Sequence, residues 1–187
     1  EEILRIKGYD EIPTKSLEVK KISDEKNALF LQRLLTFRGF LETYSFSLVN
    51  ENEAKLFSDD YLKVLETKTL DMHVLRPSLY INLLKSCSYN QRRFHKNLAF
   101  FEIGKEYRHS EVVVLSGILT EELLEKNWAY KTDKVTIFHA KDILREIFEV
   151  IDIKYQVKAS NYDWYHPFKQ GIFCQGEKIL AHFGEIH

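Results

Sequence analysis

Leu75-Arg76-Pro77-Ser78-Leu79-Tyr80-Ile81-Asn82-Leu83-Leu84, continuing through Tyr89-Asn90-Gln91-Arg92-Arg93 to Phe100-Phe101-Glu102-Ile103-Gly104, decides how the rest of this sequence is read. Arg76 precedes a proline and is therefore expected to be extended. Pro77 suits the first turn of a helix, where a missing N–H costs nothing. Tyr80, Leu84 and Cys87 recur at helical spacing, and Leu79 and Leu83 widen that stripe. The polar, basic run from Asn90 to Lys96 ends the pattern. Leu98 to Ile103 is short, apolar and aromatic, and Gly104 follows as its stop, which predicts a strand covered on both faces.

Working outward, Ala28, Leu31, Leu34, Leu35 and Arg38 predict a helix that starts after a Ser23 cap and stops at Gly39. Phe30 and Phe37 lie off its stripe, so this helix is expected to bury a second face against something else, ordinary core being the plainer alternative. Leu41 to Val49 predicts a strand, Asn50 caps a short helix from Glu51 to Phe57, and Tyr61 to Glu66 is another strand candidate. Lys105 to His109 and Glu111 to Leu119 suggest two more strands, and Thr120 starts a short helix holding Glu121 to Lys126. Thr136 to Ile151 predicts a third substantial helix, lined by Ile137, Ile143, Ile147 and Val150. A strand over Ile153 to Ala159 follows, then a hairpin of Gly171 to Gln175 and Lys178 to Gly184 around Gly176-Glu177. Residues 9 to 22 are expected to be extended.

Composition narrows the function classes. In 187 residues, 44% are hydrophobic and 13% aromatic, enough for a sizeable core. The formal net charge of −1 gives no global pull toward nucleic acid or anionic lipid. Cys87 and Cys174 sit far apart in apolar contexts, without C-x-x-C spacing, and suit buried thiols in a reducing compartment. No apolar run approaches the roughly 20 residues of a membrane span. The chain begins without Met and stops inside a motif, and is expected to be a piece of a longer protein.

No local motif for chemistry stands out. Gly171 and Gly176 have P-loop spacing, but Glu177-Lys178-Ile179 follows and the stretch alternates like a hairpin. The seven histidines are scattered, with no compact ligand spacing. No G-x-S-x-G exists, and neither cysteine has an adjacent activating base. The basic cluster Arg92, Arg93, His95 and Lys96, interleaved by Phe94, is the one candidate nucleic-acid patch; its plain reading is a solvated turn, with a nucleic-acid-backbone contact or a protein contact as alternatives.

The order LRPSL, N-x-R and FFEIG resembles the catalytic-like core of the beta subunit of bacterial-type phenylalanyl-tRNA synthetase. Gly39-Phe40-Leu41-Glu42 with Arg33, Tyr9-Asp10-Glu11-Ile12-Pro13, and Phe183-Gly184-Glu185-Ile186-His187 are similar to further stretches of that family. There are departures: Glu66-Thr67-Lys68-Thr69-Leu70 replaces an Asn-Pro-Leu-Ser-like turn, and Phe168-Lys169-Gln170 follows Pro167 where relatives carry glycine and arginine. The resemblance implies an α+β fold of the class II aminoacyl-tRNA synthetase type, an antiparallel sheet of about six strands flanked by helices. It implies that residues 1–13 end a preceding small domain and that 14–187 form the catalytic-like domain. In active class II relatives the strand matching Leu98–Ile103 reads F-R-x-E, and its arginine holds the ATP α-phosphate. Aligned on Glu102, this chain has Phe100 there. The resemblance therefore implies no catalytic, cofactor-binding or metal residue in this chain, although the parent complex uses ATP and Mg2+. It implies a cytoplasmic partner, the catalytic alpha subunit, in an alpha2-beta2 heterotetramer that charges tRNA. The expected interface residues are Phe30, Arg33, Phe37 and Phe40; Arg76, Asn90 and Glu102 are expected to hold the frame. A stand-alone tRNA-binding module and a still-active ligase core are the alternatives.

Overall fold

The computed structural model describes residues 1–13, 26–65, 71–122, 128–129 and 133–186. The Ser23 cap, the loop at 67–70 and most of the helix expected over 121–126 lie outside the described residues. Helix α1 spans Glu2–Lys7 and buries none of its residues; a 3-10 turn, Tyr9–Glu11, follows it where an extended segment was expected. Helix α2, Lys26–Phe37, stops at Gly39, whose φ of +84° suits a residue without a Cβ.

The strand expected over 41–49 is two strands in two different sheets. Strand β1, Leu41–Glu42, runs parallel to β4, Ala99–Tyr107, while β2, Leu48–Val49, pairs antiparallel with β3, Val74–Leu75. The chain changes sheets between them, and the Asn82 side-chain amide holds the crossing by donating to the Phe46 carbonyl at 2.9 Å. Helix α3, Glu51–Lys55, carries the expected Asn50 cap: Asn50 Oδ1 accepts from the Asn52 N–H at 2.8 Å, and Glu53 returns a bond to the Asn50 N–H. Residues 61–65 form only an isolated bridge, Lys63 to Val74, rather than a strand.

Helix α4 spans Tyr80–Gln91. Pro77 lies three residues before it, not in its first turn, because Arg76 and Pro77 are held to the sheet instead. Strand β4, Ala99–Tyr107, runs past Gly104 and pairs with β5, Glu111–Leu119, in one long antiparallel hairpin. The stop expected at Gly104 is absent, since that glycine serves a close approach described below. Helix α5 covers Ile137–Val150, and β6, Gln156–Lys158, β7, Tyr165–Gln175, and β8, Lys178–Ile186, form the last sheet. Tyr165 to Pro167 open β7, and the register shifts between Tyr165 and Gln170.

The β strands thus divide into a three-stranded β1-β4-β5 sheet, a two-stranded β2-β3 pair and a three-stranded β6-β7-β8 sheet, not one sheet of about six strands. Alternation along β4 puts Phe101 and Ile103 on one face, in a core with Leu35 of α2, Phe40 and Ile147 of α5. Phe100 faces the other way, into a core with Leu83 and Cys87 of α4. Helix α5 turns Ile147 to the first sheet and Phe148 to Phe173 and Phe183 of the second, so it joins the two. This is an α+β fold with mostly antiparallel sheets.

Candidate interaction face and the buried pair behind it

Helix α2 has two faces. Leu35 is buried, and Leu31 and Leu34 pack beside it against Phe101. Phe30, Arg33 and Phe37 recur at i, i+3 and i+7, so they share the opposite face. All three are exposed, Phe37 to 89%. The segment after the helix continues to present apolar side chains, with Leu41, Tyr44 and Phe46 exposed. Phe40 differs from the other expected interface residues. It is only 6% exposed, and its ring meets Phe101 edge-on at 6.5 Å, so it belongs to this chain's own core. The physical reason is the Gly39 turn, which swings the next residue back under the helix, where its N–H donates to the Leu35 carbonyl at 3.0 Å.

Behind this face, Arg76 and Glu102 form a buried ion pair, 4% and 2% exposed, with Nη1 to Oε1 at 2.7 Å. The other carboxylate oxygen accepts from Ser45 Oγ at 2.6 Å, and Arg76 Nη1 also donates to Ser45 Oγ at 2.8 Å. Arg76 Nε donates to the Lys105 carbonyl at 3.0 Å. The Arg76 backbone joins in, its N–H on the Ser47 carbonyl and its carbonyl under the Tyr107 N–H. One guanidinium therefore ties the 45–47 segment to the middle of β4. Gly104 makes room for it: a Cβ there would stand 2.6 Å from Arg76 Nη2. A cavity of about 320 Å³ opens beside the pair, lined by Tyr44, Ser45, Arg76, Glu102 and Tyr107. Two residues before Glu102, on the same face of β4, the Phe100 ring is buried against Leu83 and Cys87.

A family model described as "Phenylalanyl tRNA synthetase beta chain CLM domain" matches residues 10–187. The chain belongs to that family. This CLM-domain chain is 30% identical to the phenylalanine–tRNA ligase beta subunit of Rickettsia bellii, over all of the chain and 23% of the relative. It is 28% identical to the beta subunit of Staphylococcus epidermidis, and 29% to that of Zymomonas mobilis, covering 25% of each. The chain thus spans about a quarter of the length of these curated relatives. Among solved structures, the pyrrolysyl-tRNA synthetase PylSc of Desulfitobacterium hafniense superposes with a TM-score of 0.64 at 16% identity, over 84% of this chain and 54% of that one. A second structure of that synthetase gives 0.57. At this identity the likeness shows the fold, and it is that of a class II tRNA synthetase.

Asn90 sits at the end of α4 in the CLM-domain chain. Its Nδ2 donates to the Ser86 carbonyl at 2.8 Å, and its own carbonyl accepts from the N–H groups of Arg93 and His95. The basic turn that follows is exposed from Arg92 to Lys96. Sequence reasoning missed a third cluster. Tyr165 Oη lies 3.0 Å from both Tyr80 Oη and His182 Nδ1, with Tyr162 and Trp164 packed around them. The Tyr165 ring lies flat on Gly184, where a Cβ would stand 2.5 Å away. Burial, helped by Arg108, lowers the His182 pKa to about 4, and burial raises both tyrosines. These residues come from three elements, and no local pattern joins them. Among the described residues no group of three or more His, Cys, Asp or Glu side chains is gathered as a metal site would need, and no helix is long and apolar enough to cross a membrane.

Proposed function

We propose that this chain is the non-catalytic assembly module of a phenylalanyl-tRNA synthetase beta subunit, held against the catalytic alpha subunit. The observation that carries the non-catalytic half is Phe100. It occupies the place at which the family resemblance puts an ATP-holding arginine, and a buried phenyl ring cannot pair with a phosphate. Arg76, the guanidinium that lies against Glu102, does not replace it, being 4% exposed and committed to Glu102, Ser45 and Lys105. The assembly half is supported by the outward row Phe30, Arg33 and Phe37, with apolar rings that no element of this chain covers among the described residues.

In this reading residues 1–13 end a preceding small domain and 14–187 form the module. The parent complex is a cytoplasmic alpha2-beta2 heterotetramer that joins phenylalanine to its tRNA with ATP and Mg2+, all of that chemistry lying in the alpha subunit. The test of the non-catalytic half is a calorimetric titration of the chain with Mg-ATP. No heat of binding up to millimolar nucleotide is expected. Saturable binding at micromolar ATP would favour the still-active ligase core instead.

A further inference from the structure

The Thr43 N–H donates to the Phe101 carbonyl at 2.7 Å, and after it the chain leaves the edge of β4. Arg76 closes that edge further along, its Nε on the Lys105 carbonyl and its own carbonyl under the Tyr107 N–H. In an antiparallel ladder alternate residues turn their backbone groups away from the partner strand, and Phe101, Lys105 and Tyr107 here turn theirs away from β5. Ile103 lies between them on the same edge. Its N–H and C=O, and the N–H of Lys105, meet no backbone group of residues 43–47. Both residues line the cavity of about 320 Å³ beside the buried pair. Arg76 adds a second, independent observation. Its Nε and Nη1 make all four side-chain hydrogen bonds that hold it, and Nη2 makes none among the described residues, although Arg76 is 4% exposed and lines the same cavity. A charged donor buried without an acceptor is costly, so Nη2 favours an occupant that supplies one.

We propose that this cavity binds a primary carboxamide carried on a small flat ring. Charge selects the amide over an acid. Arg76 is already matched by Glu102 at 2.7 Å, and the Lys105 ammonium is taken by Glu111 at 2.6 Å. A carboxylate would set a second anion beside Glu102, and the lining offers no further cation to balance it. A neutral amide matches the floor on both sides: its oxygen accepts from Nη2 and a β4 N–H, and its NH2 donates to the Ile103 carbonyl. Tyr44, Tyr107 and Val113 add ring and methyl surface to the lining, which suits an aromatic body. The volume is at the small end of ligand cavities, roughly 300–1,000 Å³, and so admits a single-ring compound. An Asn or Gln side chain of a bound subunit carries the same amide edge, and the test separates the two sources. The inference goes beyond the assembly reading and does not depend on it.

The test is an NMR titration of the full 187-residue chain, labelled with nitrogen-15, against benzamide, benzoate and N,N-dimethylbenzamide. Benzamide is expected to shift the Ile103 and Lys105 amide signals and the Arg76 guanidinium signal together, saturating with a Kd on the order of 1 mM. Benzoate, isosteric but charged, is expected to bind at least about tenfold more weakly, and the dimethyl amide, which has no N–H to give Ile103, at least about fivefold. Val113→Trp fills the cavity from an exposed strand position, so the fold survives, and is expected to abolish the benzamide shifts. No saturating shift at these three residues with benzamide overturns the proposal. So does benzoate binding as tightly as benzamide, which makes this an anion site, and so does undiminished binding in Val113→Trp. Saturation-transfer NMR of benzamide on the chain bound to its accompanying subunit distinguishes the sources. Retained binding assigns the site to a free small molecule, and binding lost only in the complex assigns the amide to that subunit's side chain.

Discussion

Arg76 and Glu102 illustrate how much a single buried pair can constrain. Removing Glu102 alone leaves a guanidinium buried at 4% exposure with a lost counter-charge, and such a change typically costs about 3–5 kcal/mol. Glu102→Leu is therefore expected to lower the denaturation midpoint by that much, and Arg76→Met/Glu102→Leu to recover a large part of it, as read by urea unfolding. Gly104→Ala pushes a methyl toward Nη2 of a guanidinium whose Nε and Nη1 are held by four hydrogen bonds, and is expected to cost about 1–3 kcal/mol in the same assay. Sequence motifs flagged Arg76 and Glu102 individually. Their pairing was not legible, because 26 residues separate them and only the tertiary path of β4 brings them together. The same contact explains why Gly104 is misread as a strand stop. A glycine ends a strand or admits a neighbour, and the local sequence does not say which.

At the scale of elements, the helical periods, the Asn50 cap and the hairpin turn hold, while strand alternation is less dependable. Helices α2, α4 and α5 stand near where their apolar spacing puts them, and the Gly176-Glu177 hairpin is in place. Leu41 to Val49 reads as one strand because alternation does not register a change of partner sheet. Phe40, the residue after a turn glycine, has no period to place it. The joint between α4 and the last sheet, built on Tyr80, Tyr165 and His182, carries a pH dependence with a definite sign. His182 is neutral when folded, with its pKa at about 4 rather than 6.5. As pH falls below 6.5 the unfolded chain takes up a proton that the folded chain refuses, so stability falls between about pH 6.5 and 4 and is fully present above that window. The loss is on the order of 2–3 kcal/mol. Thermal unfolding across that range is expected to show the fall, and His182→Gln to flatten it; an identical slope in the variant would sink this account of the joint.

For the whole molecule, the layered α+β class and the family were legible, since ordered motifs run along most of the chain. The division into separate small sheets and the parallel β1-β4 pair were not, because strand order depends on contacts between distant segments. The outer row of α2 is one of the exposed apolar surfaces among the described residues. Its two rings, Phe30 and Phe37, are 41% and 89% exposed, and in the proposed reading they meet the alpha subunit. The most direct measurement is co-expression of the chain with the alpha subunit of phenylalanyl-tRNA synthetase from the same source, followed by affinity capture and gel filtration. The parent chain is expected to elute with the alpha subunit, and Phe30→Glu/Phe37→Glu to weaken that association at least about 30-fold while still folding. A parent chain that elutes alone, or a double variant that associates as well as the parent, contradicts the assembly role.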